Sequence, residues 1–379
     1  MSDNKLKVMH LIWSMGDGGA QQVVINYLRD FNADPDVDLR VYVYTGSTES
    51  KYDKEIAEKK YPVTYLNNPK SRIKIPIIRY PFNRMVARRE WYKVISEFEP
   101  DIVHVHISEL LSVTLKPINK ANVPVRFDTL HSHPLRYQGR KLRTIRKAFN
   151  NYNFIPLCVT DEQGQIAKGH YGFDSYELVR NGIDTKAVEC QKIDKKEARA
   201  ELKISDEAFV VLGVGRLNPI KNFPLLIRAF AHVCKKNDVA ILLIAGAGDE
   251  LNNLKQLVAE LELGNKVQFL GNRTDMNVIY SAADVLVMTS ISEAAPLTLI
   301  EAQVMEVRCI VSSGVPAENF IMSNARKMNA NASEIEWAEA ILDNNYQNEI
   351  CGAIEDYDVH HISKHLKDIY LKYWNEYKK

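Results

Sequence analysis

The sequence lacks any long hydrophobic run. Its apolar stretches, such as Leu6–Trp13 and Val239–Gly246, have the length of a strand, whereas a membrane helix needs about 20 apolar residues. The first residues, MSDNKLK, also lack the apolar segment and small-residue cleavage site of a signal peptide. These absences predict a cytoplasmic chain and argue against an integral membrane protein.

Cysteine is scarce and irregularly placed. The five cysteines are an odd number and include no Cys-x-x-Cys pair, which argues against a disulfide framework or a zinc site built on cysteine. Buried free thiols in a reducing compartment are the expected state of these residues.

Net charge is also low, at +1 over 379 residues, but the positive charges are concentrated in two tracts. Residues 70–93 contain eight lysines or arginines and one glutamate, and residues 136–147 contain six and no acid. The rest of the chain is therefore acidic on balance. A content of 46% hydrophobic and 26% charged residues is typical of a globular protein, and the length predicts two domains.

Apolar strand-like runs alternate with helical patterns along the whole chain, which predicts parallel sheets covered by helices. The alternation pauses after the turn at 180–184 and then starts again. We therefore predict an α/β fold with two Rossmann-like domains facing across a cleft. The predicted domains are 1–185 and 186–358, and we expect the helical segment 359–379 to pack back on the first.

Two carboxylates surround a predicted helix start in the second domain. The segment TSISEAAPLTLIEAQ, 289–303, contains Glu293, Pro296 and Glu301. Proline is favoured in the first turn of a helix, so Glu293 lies before the helix and Glu301 lies within it. The free N–H groups and positive dipole of a helix start suit a phosphate. Two glutamates beside a phosphate site indicate binding of a phosphate-bearing ligand.

Two cations follow the first predicted strand of the second domain. Arg216 comes directly after the strand, and Lys221 lies in the loop before the next helix. Ligands of such sheets bind outside the carboxyl ends of the strands. An arginine and a lysine at that edge would suit a diphosphate. Solvated loop cations are the alternative interpretation.

The first strand of the chain is followed by a glycine-containing turn with Gly18 and Gly19 before an amphipathic helix. The order of strand, glycine turn and helix is typical of nucleotide-binding α/β domains, although the Gly-x-Gly-x-x-Gly pattern is absent. These glycines would let a backbone approach a ligand closely, or would simply form a tight turn.

Taken together, these residues resemble the glycosyltransferase family 4 group, whose members are retaining sugar transferases with two Rossmann-like domains, the GT-B fold. The resemblance covers nearly the whole chain. It is carried by the residues already described together with three further segments, which are the region of His131, the turn 180–184, and the glycines at 246 and 248.

The resemblance implies a role for each of these residues. Arg216 and Lys221 would neutralise the diphosphate of a nucleotide sugar, and Glu301 would bind its ribose hydroxyls. The backbone N–H groups near Leu297 and Thr298 would hold the distal phosphate, with Gly18 and Gly19 closing over it. Glu293 and His131 would contact the donor sugar as catalytic residues. Asn272 and Arg273 would lie near the base.

The chain departs from the family at two places. Ala294 and Ala295 replace a glycine and an aromatic residue that usually follow the first glutamate, and 305–307, Met-Glu-Val, replaces a Gly-x-Pro. Alanine is tolerated at 294 unless the backbone there requires a positive φ.

Metal sites have weaker support in the sequence. His104 and His106 share one face of a strand, and His131 and His133 repeat the spacing, but no pattern supplies carboxylate ligands beside them. We expect strand-end histidines that line the cleft. The Asp-x-Asp at 36–38 precedes a strand, and we expect it to be a solvated loop. No metal or cofactor is expected.

The basic tracts 70–93 and 136–147 contain apolar residues among their cations, and within the segment 140–149 Leu142, Ile145 and Phe149 share one helix face. No nucleic-acid-binding module accompanies them. An anionic membrane surface suits an amphipathic basic patch. We therefore expect peripheral association with the inner face of the cell membrane and no binding of nucleic acid.

The function predicted from all these features is transfer of a hexose from a nucleoside diphosphate sugar, UDP-linked by preference, to a glycan or lipid-linked acceptor. The resemblance favours capsular or extracellular polysaccharide synthesis as its setting. Two alternatives remain open at this point, which are a non-catalytic partner subunit that binds a sugar nucleotide and a nucleotide-sugar epimerase of similar fold. Fold alone does not separate these functions.

Overall fold

The computed structural model describes residues 5–66, 76–347 and 349–379. The chain forms two compact units. Unit 1 comprises Met1–Gly182 together with Val359–Lys379, and unit 2 comprises Ile183–Asp358. The chain thus leaves unit 1 after Gly182 and returns to it at Val359.

Unit 1 contains a parallel sheet of seven strands in the order β3-β2-β1-β4-β5-β6-β7. The strands are β1 Leu6–Ile12, β2 Val37–Val43, β3 Val63–Tyr65, β4 Ile102–Val105, β5 Val125–Leu130, β6 Phe154–Cys158 and β7 Glu177–Leu178. The helices of the unit are α1 Gly19–Phe31, α2 Lys51–Lys59, α3 Pro76–Phe98, α4 Leu111–Lys120, α5 Gly139–Asn151, α6 Asp161–Tyr171 and α14 Val359–Tyr377.

Unit 2 repeats the design with six parallel strands in the order β10-β9-β8-β11-β12-β13. Its strands are β8 Phe209–Val214, β9 Ala240–Ala245, β10 Val267–Gly271, β11 Val285–Met288, β12 Arg308–Ser312 and β13 Ala325–Met328. Its helices are α7 Thr185–Cys190, α8 Lys195–Glu201, α9 Phe223–Lys236, α10 Leu251–Glu260, α11 Met276–Ala282, α12 Leu297–Val304 and α13 Glu334–Leu342.

The central strands are apolar along their length because helices cover both faces of a parallel sheet. In β8, for example, Val210, Val211 and Leu212 are fully buried. Continuous apolar runs of this kind made the central strands predictable from the sequence. The edge strands β7 and β13 were not predicted. β7 has only two residues, and β13 reads Ala-Arg-Lys-Met with two exposed cations.

The helix α14 packs on α1 and β5 within unit 1. Its buried side chains recur at helical spacing, and Leu366 and Tyr370 are completely inaccessible. The amphipathic pattern of 359–377 therefore places its apolar face in the unit 1 core.

All five cysteines are free thiols. Cys158 and Cys309 are buried as expected, whereas Cys190 and Cys351 are exposed, so the expectation of burial is wrong for these two. Among the described helices, none combines the length and apolarity needed to cross a lipid bilayer.

Candidate functional site

The order of strands in unit 2 locates its candidate site. The chain runs outward from β8 through β9 to β10, and then returns to place β11 on the other side of β8. Ligands of open α/β sheets bind at such a reversal, outside the carboxyl ends of the two central strands. The loops that follow β8 and β11 carry Lys221 and Glu293, respectively.

Lys221 is held by a short, well-defined loop. The side chain of Asn218 accepts a hydrogen bond from the Lys221 N–H at 3.2 Å and caps a 3-10 turn over Pro219–Lys221. The methylene stem of Lys221 passes over Gly215, where a β-carbon would lie 3.1 Å from its Cε. The loop therefore fixes both the backbone and the stem of this lysine.

The loop that carries Glu293 is anchored on two sides. The Ile291 N–H donates to the carbonyl of Ile220 at 2.8 Å, which joins it to the Lys221 loop. The Glu293 N–H donates to the carbonyl of Gly314 at 2.9 Å, which joins it to the loop after β12. A β-carbon at Gly314 would lie only 2.2 Å from the Ile291 carbonyl oxygen, so this close approach requires glycine.

The anchoring brings the two predicted site residues together in an ion pair. The distance between Lys221 Nζ and Glu293 Oε1 is 2.6 Å, and the two side chains are only 18% and 14% exposed. Thr289 strengthens the junction because its hydroxyl lies 3.1 Å from the Lys221 carbonyl and 2.9 Å from that of Asn222. A charged pair is thus held at the carboxyl edge of the central strands.

Glu301 lies within α12, as predicted, and has a partner that the sequence did not indicate. The Tyr280 hydroxyl on α11 donates to Glu301 Oε2 at 2.9 Å. Burial, reinforced by the charge of Glu301, raises the pKa of Tyr280 well above its usual value. Tyr280 therefore remains a protonated donor that orients the carboxylate.

The start of α12 presents unpaired polar groups. Pro296 is the N-cap, and Leu297 and Thr298 are the first helical residues, so their N–H groups have no acceptor within the helix. The hydroxyls of Ser292 and Thr298 are buried without a hydrogen-bond partner in the described part of the chain. These donors are available to an anion at the helix start.

The two arginines proposed for the site differ in their contacts. Arg216 is exposed, and no acid pairs with it in the ranges that the structure covers. Arg273 instead forms a two-pronged ion pair with Asp275, with 2.8 Å between Nε and Oδ1, and this contact lowers the pKa of Asp275. Asn272 is exposed beside it. Arg216 is free to bind a ligand, whereas Arg273 is already engaged.

In unit 1, Gly18 and Gly19 begin α1 without backbone strain. Gly18 is the N-cap with an extended backbone at φ −131°, and neither glycine has a positive φ. A β-carbon at Gly19 would meet nothing within 4 Å. The Gly18 N–H donates to the Gly16 carbonyl at 2.9 Å, so the chain turns tightly before the helix, and the surface above Gly19 is open.

His131 follows β5 and faces the interior of unit 1. Its Nε2 lies 3.2 Å from Nδ1 of His106. Burial lowers the pKa of His131 to about 4, partly opposed by the side chain of Asn181. The imidazole is therefore neutral at physiological pH.

His104 and His106 are completely buried, so the expectation that they line an open cleft is wrong. They stack on each other and form a cluster with His10 of β1, a residue that the sequence analysis missed. Only its position relates His10 to the cluster, because it lies opposite His104 in the register of β1 with β4.

The second basic tract lies largely on α5. Arg140, Arg143 and Lys147 are exposed, whereas Ile145 and Phe149 are buried in the core of unit 1. The apolar face of this helix is thus occupied by the protein itself. In the first tract, residues 70–75 and the side chains of 76–81 lie outside the described residues.

The two departures from the family pattern have different structural consequences. Ala294 is buried and is not among the residues with positive φ, so its β-carbon causes no backbone strain. Glu306, at the end of α12, adopts φ +59° although it is not a glycine. The strain therefore falls at the helix end and not beside Glu293.

Comparison with family models divides the chain at nearly the same place as its structure. Residues 17–187 match the model described as Glycosyltransferase Family 4, and residues 194–350 match that described as Glycosyl transferases group 1.

Individual relatives agree with these matches. The UDP-Gal:alpha-D-GlcNAc-diphosphoundecaprenol alpha-1,3-galactosyltransferase of Escherichia coli is 28% identical over 62% of this chain, a match that spans 62% of that enzyme's length. The putative glycosyltransferase EpsF of Bacillus subtilis is 25% identical over 83% of this chain and 81% of its own. The structure of Anabaena HepE in complex with UDP and glucose superposes with a TM-score of 0.74 at 17% identity, covering 98% of each chain.

Proposed function

The chain belongs to the GT-B glycosyltransferases of the family 4 type, and from this premise we propose that it transfers a hexose from a UDP-sugar to a glycan or lipid-linked acceptor with retention of the anomeric configuration. The observation that carries the proposal is the Lys221–Glu293 ion pair, fixed at the carboxyl edge of β8 and β11. The pair places a cation that can bind a diphosphate next to a carboxylate that can contact a sugar.

Cleavage of the bond between sugar and diphosphate develops negative charge on the leaving phosphate. Lys221, the unpaired Arg216 and the N–H groups of Leu297 and Thr298 supply positive potential for that charge. Because these groups are held in place before the reaction, they stabilise the transition state without reorganising. In this proposal Lys221 exchanges part of its contact with Glu293 for a phosphate oxygen.

Glu293 has the complementary role in the proposal. Positive charge develops at the anomeric carbon as the leaving group departs, and a carboxylate nearby stabilises it. Glu301, oriented by Tyr280, binds the ribose hydroxyls. His131, neutral because burial lowers its pKa to about 4, contacts the sugar as a hydrogen-bonding group.

The choice of donor and acceptor is supported by the relatives. The Escherichia coli enzyme carries UDP-galactose and a diphosphoundecaprenol acceptor in its name, and HepE was crystallised with UDP and glucose. We therefore favour a UDP-hexose and a lipid-linked glycan, in capsular or extracellular polysaccharide synthesis. Because Lys221 and Arg216 can neutralise the diphosphate, we also propose that no divalent metal is required, and that chelation by EDTA leaves the rate unchanged.

A membrane-bound acceptor suits the basic surface of unit 1. Because the apolar face of α5 is buried, attachment would rest on its exposed cations, at about 1 kcal/mol for each one near an anionic surface. Charge reversal of Arg140, Arg143 and Lys147 should abolish flotation with anionic liposomes. Reversal of three exposed unit 2 cations, Lys235, Lys255 and Lys327, is the matched control, and equal loss in both variants would contradict a specific patch.

The decisive experiment measures release of nucleoside diphosphate from UDP-, GDP- and ADP-sugars, with and without a lipid extract. We expect release from a UDP-sugar that depends on the extract and disappears in Glu293→Gln and Lys221→Ala. Binding of nucleotide without release from any donor would favour the partner-subunit alternative. Conversion of the donor sugar without any acceptor would favour the epimerase.

A further inference from the structure

Unit 1 contains a buried chain of hydrogen bonds that runs from β5 through α14 to His131. Thr129 Oγ1 lies 2.6 Å from His104 Nε2, and His104 Nδ1 lies 2.5 Å from the Tyr370 hydroxyl. The same hydroxyl lies 2.8 Å from His10 Nε2. The chain continues from His10 Nδ1 to His106 Nε2 at 3.0 Å, and from His106 Nδ1 to His131 Nε2 at 3.2 Å.

The inner members of the chain are uncharged. Burial lowers the pKa of His10 to about 3 and places the pKa values of His104 and His106 well below their usual range. Burial also raises the pKa of Tyr370 well above its usual value. Each imidazole therefore has one N–H donor and one acceptor nitrogen, and the hydroxyl of Tyr370 has one proton to donate.

Three arrangements of protons satisfy every link, since each ring that accepts on one nitrogen must donate from the other, whereas a hydroxyl oxygen can accept twice. In the first, donation runs from Thr129 to His131. In the second, it runs from His131 to Thr129, and the Thr129 hydroxyl must then donate to a further acceptor. In the third, His104 and His10 both donate to the Tyr370 oxygen, and the Tyr370 proton has no acceptor in the chain of hydrogen bonds. Thr129 is buried, and its hydroxyl has no second partner among residues 5–66, 76–347 and 349–379. His131 Nδ1 has no hydrogen bond among the described residues in any of the three arrangements, so the buried hydroxyls decide between them. Because an orphaned buried donor is costly, the first arrangement, which leaves no hydroxyl of the chain unpaired, is favoured.

We propose that this chain fixes the tautomer of His131, so that Nε2 accepts from His106 while Nδ1 carries the proton, and that Tyr370 is the positioning residue that joins its two halves. The Nδ1–H group is then the donor available to a ligand or to Asn181. The consequence for catalysis rests on the proposed function, in which His131 contacts the donor sugar. The tautomer itself does not depend on that function.

The same cluster could be taken for a metal site, because nitrogens of His10, His104 and His106 lie within 4.8 Å of one another. Three imidazoles form a common zinc donor set. However, all six nitrogens of these rings already have a protein partner. The candidate ligand group contains no carboxylate to offset the charge of a buried divalent ion. The contacts favour the proton-ordered chain.

The test is long-range ¹H–¹⁵N spectroscopy of the full-length protein labelled with ¹⁵N-histidine, recorded without substrate. We expect His131 to show the Nδ1–H tautomer in the wild type and a mixture of tautomers in Tyr370→Phe. Tyr373→Phe is the matched control, since it removes a hydroxyl of the same helix that binds Glu177 at 2.8 Å and should leave His131 unchanged. Thr129→Val should also mix the tautomers, whereas Thr129→Ser should restore the wild-type spectrum.

Steady-state kinetics provide a second measurement, with the donor that the nucleoside diphosphate release experiment identifies. Tyr370→Phe should lower kcat about tenfold with little change in the donor KM, because it disturbs one contacting group through a coupled network. An Nε2–H tautomer at His131 in the wild type would overturn the proposal. So would an unchanged tautomer in both Tyr370→Phe and Thr129→Val, or one equivalent of zinc in the purified protein that is lost in Tyr370→Phe.

Discussion

Nine of the ten histidines lie in unit 1, and only His232 lies in unit 2. The interior of unit 1 contains polar groups that are kept neutral, and burial raises even the pKa of the Asp128 carboxyl well above its usual range. Unit 2 instead holds charges, as in Lys221–Glu293 and in Arg199–Asp284 at 2.8 Å. The two sheets share one design, but the histidine cluster of unit 1 is suited to directed hydrogen bonds, whereas the Lys221–Glu293 pair of unit 2 is suited to an anionic ligand.

The variant with the largest expected effect, Lys221→Ala, tests whether the charges of unit 2 bind substrate or only stabilise the loops. Lys221→Ala should lower kcat/KM by about 10³, the scale of one lost transition-state contact. It should also destabilise unit 2 by roughly 2 kcal/mol, since Glu293 is left without its counter-charge. Release of nucleoside diphosphate and urea unfolding measure the two effects.

The swapped pair Lys221→Glu with Glu293→Lys separates these roles. It rebuilds an ion pair with reversed polarity, so it should recover most of the lost stability and none of the activity. Recovery of both would mean that the pair is structural.

The second prediction concerns the stability of unit 1 at acidic pH. Because burial holds the pKa of His10 at about 3 in the folded protein, against about 6.5 when unfolded, the unfolded state binds more protons between these values. Stability is therefore complete above pH 6.5 and decreases as the pH falls. Between pH 7 and pH 5, protonation of this one ring in the unfolded state should lower the free energy of unfolding of unit 1 by about 2 kcal/mol.

Hydrogen exchange of the whole protein, corrected for intrinsic rates, reports this loss unit by unit. Protection should fall in peptides of β1, β4 and α14, while peptides from β8 and β11 lose less. Equal losses in the two units would contradict the contrast between their interiors.

A third and smaller effect distinguishes two cations within unit 2. Arg216 has no partner acid, so Arg216→Ala should raise the donor KM about tenfold, the scale of one lost charged hydrogen bond. Arg273 is already paired with Asp275, so Arg273→Ala should change KM by less than about twofold. Similar effects in both variants, measured by initial rates at several donor concentrations, would refute this distinction.

The smallest effect concerns the end of α12. Glu306 has φ +59°, a conformation that glycine adopts without steric cost. Glu306→Gly should stabilise unit 2 by about 0.5 kcal/mol, since the relief of strain exceeds the added freedom of the unfolded chain.

Glu306→Ala provides its control, because it also removes the ion pair with Lys192 but keeps the β-carbon. Its urea midpoint should be equal to or lower than that of the wild type. A higher midpoint in the alanine variant would show that the ion pair, and not the backbone, is unfavourable.

The sequence predicted the features that depend on local pattern and topology. Central strands such as β8 are continuous apolar runs, and residues that follow neighbouring parallel strands must meet at one edge, which brought Lys221 near Glu293. Contacts between distant segments left no such pattern. Tyr280 precedes Glu301 by 21 residues, and Tyr370 follows His104 by 266, so neither partner could be inferred from periodicity or spacing.

The return of the chain to unit 1 at Val359 has a consequence for synthesis on the ribosome. Translation at about 5–20 residues per second needs roughly ten seconds or more to make the whole of unit 2. Throughout that interval His10 and His104 exist without the Tyr370 hydroxyl that joins them in the finished protein. All residues of unit 2 are thus synthesised before the last helix of unit 1, so the second unit in the chain is the first whose residues have all been made.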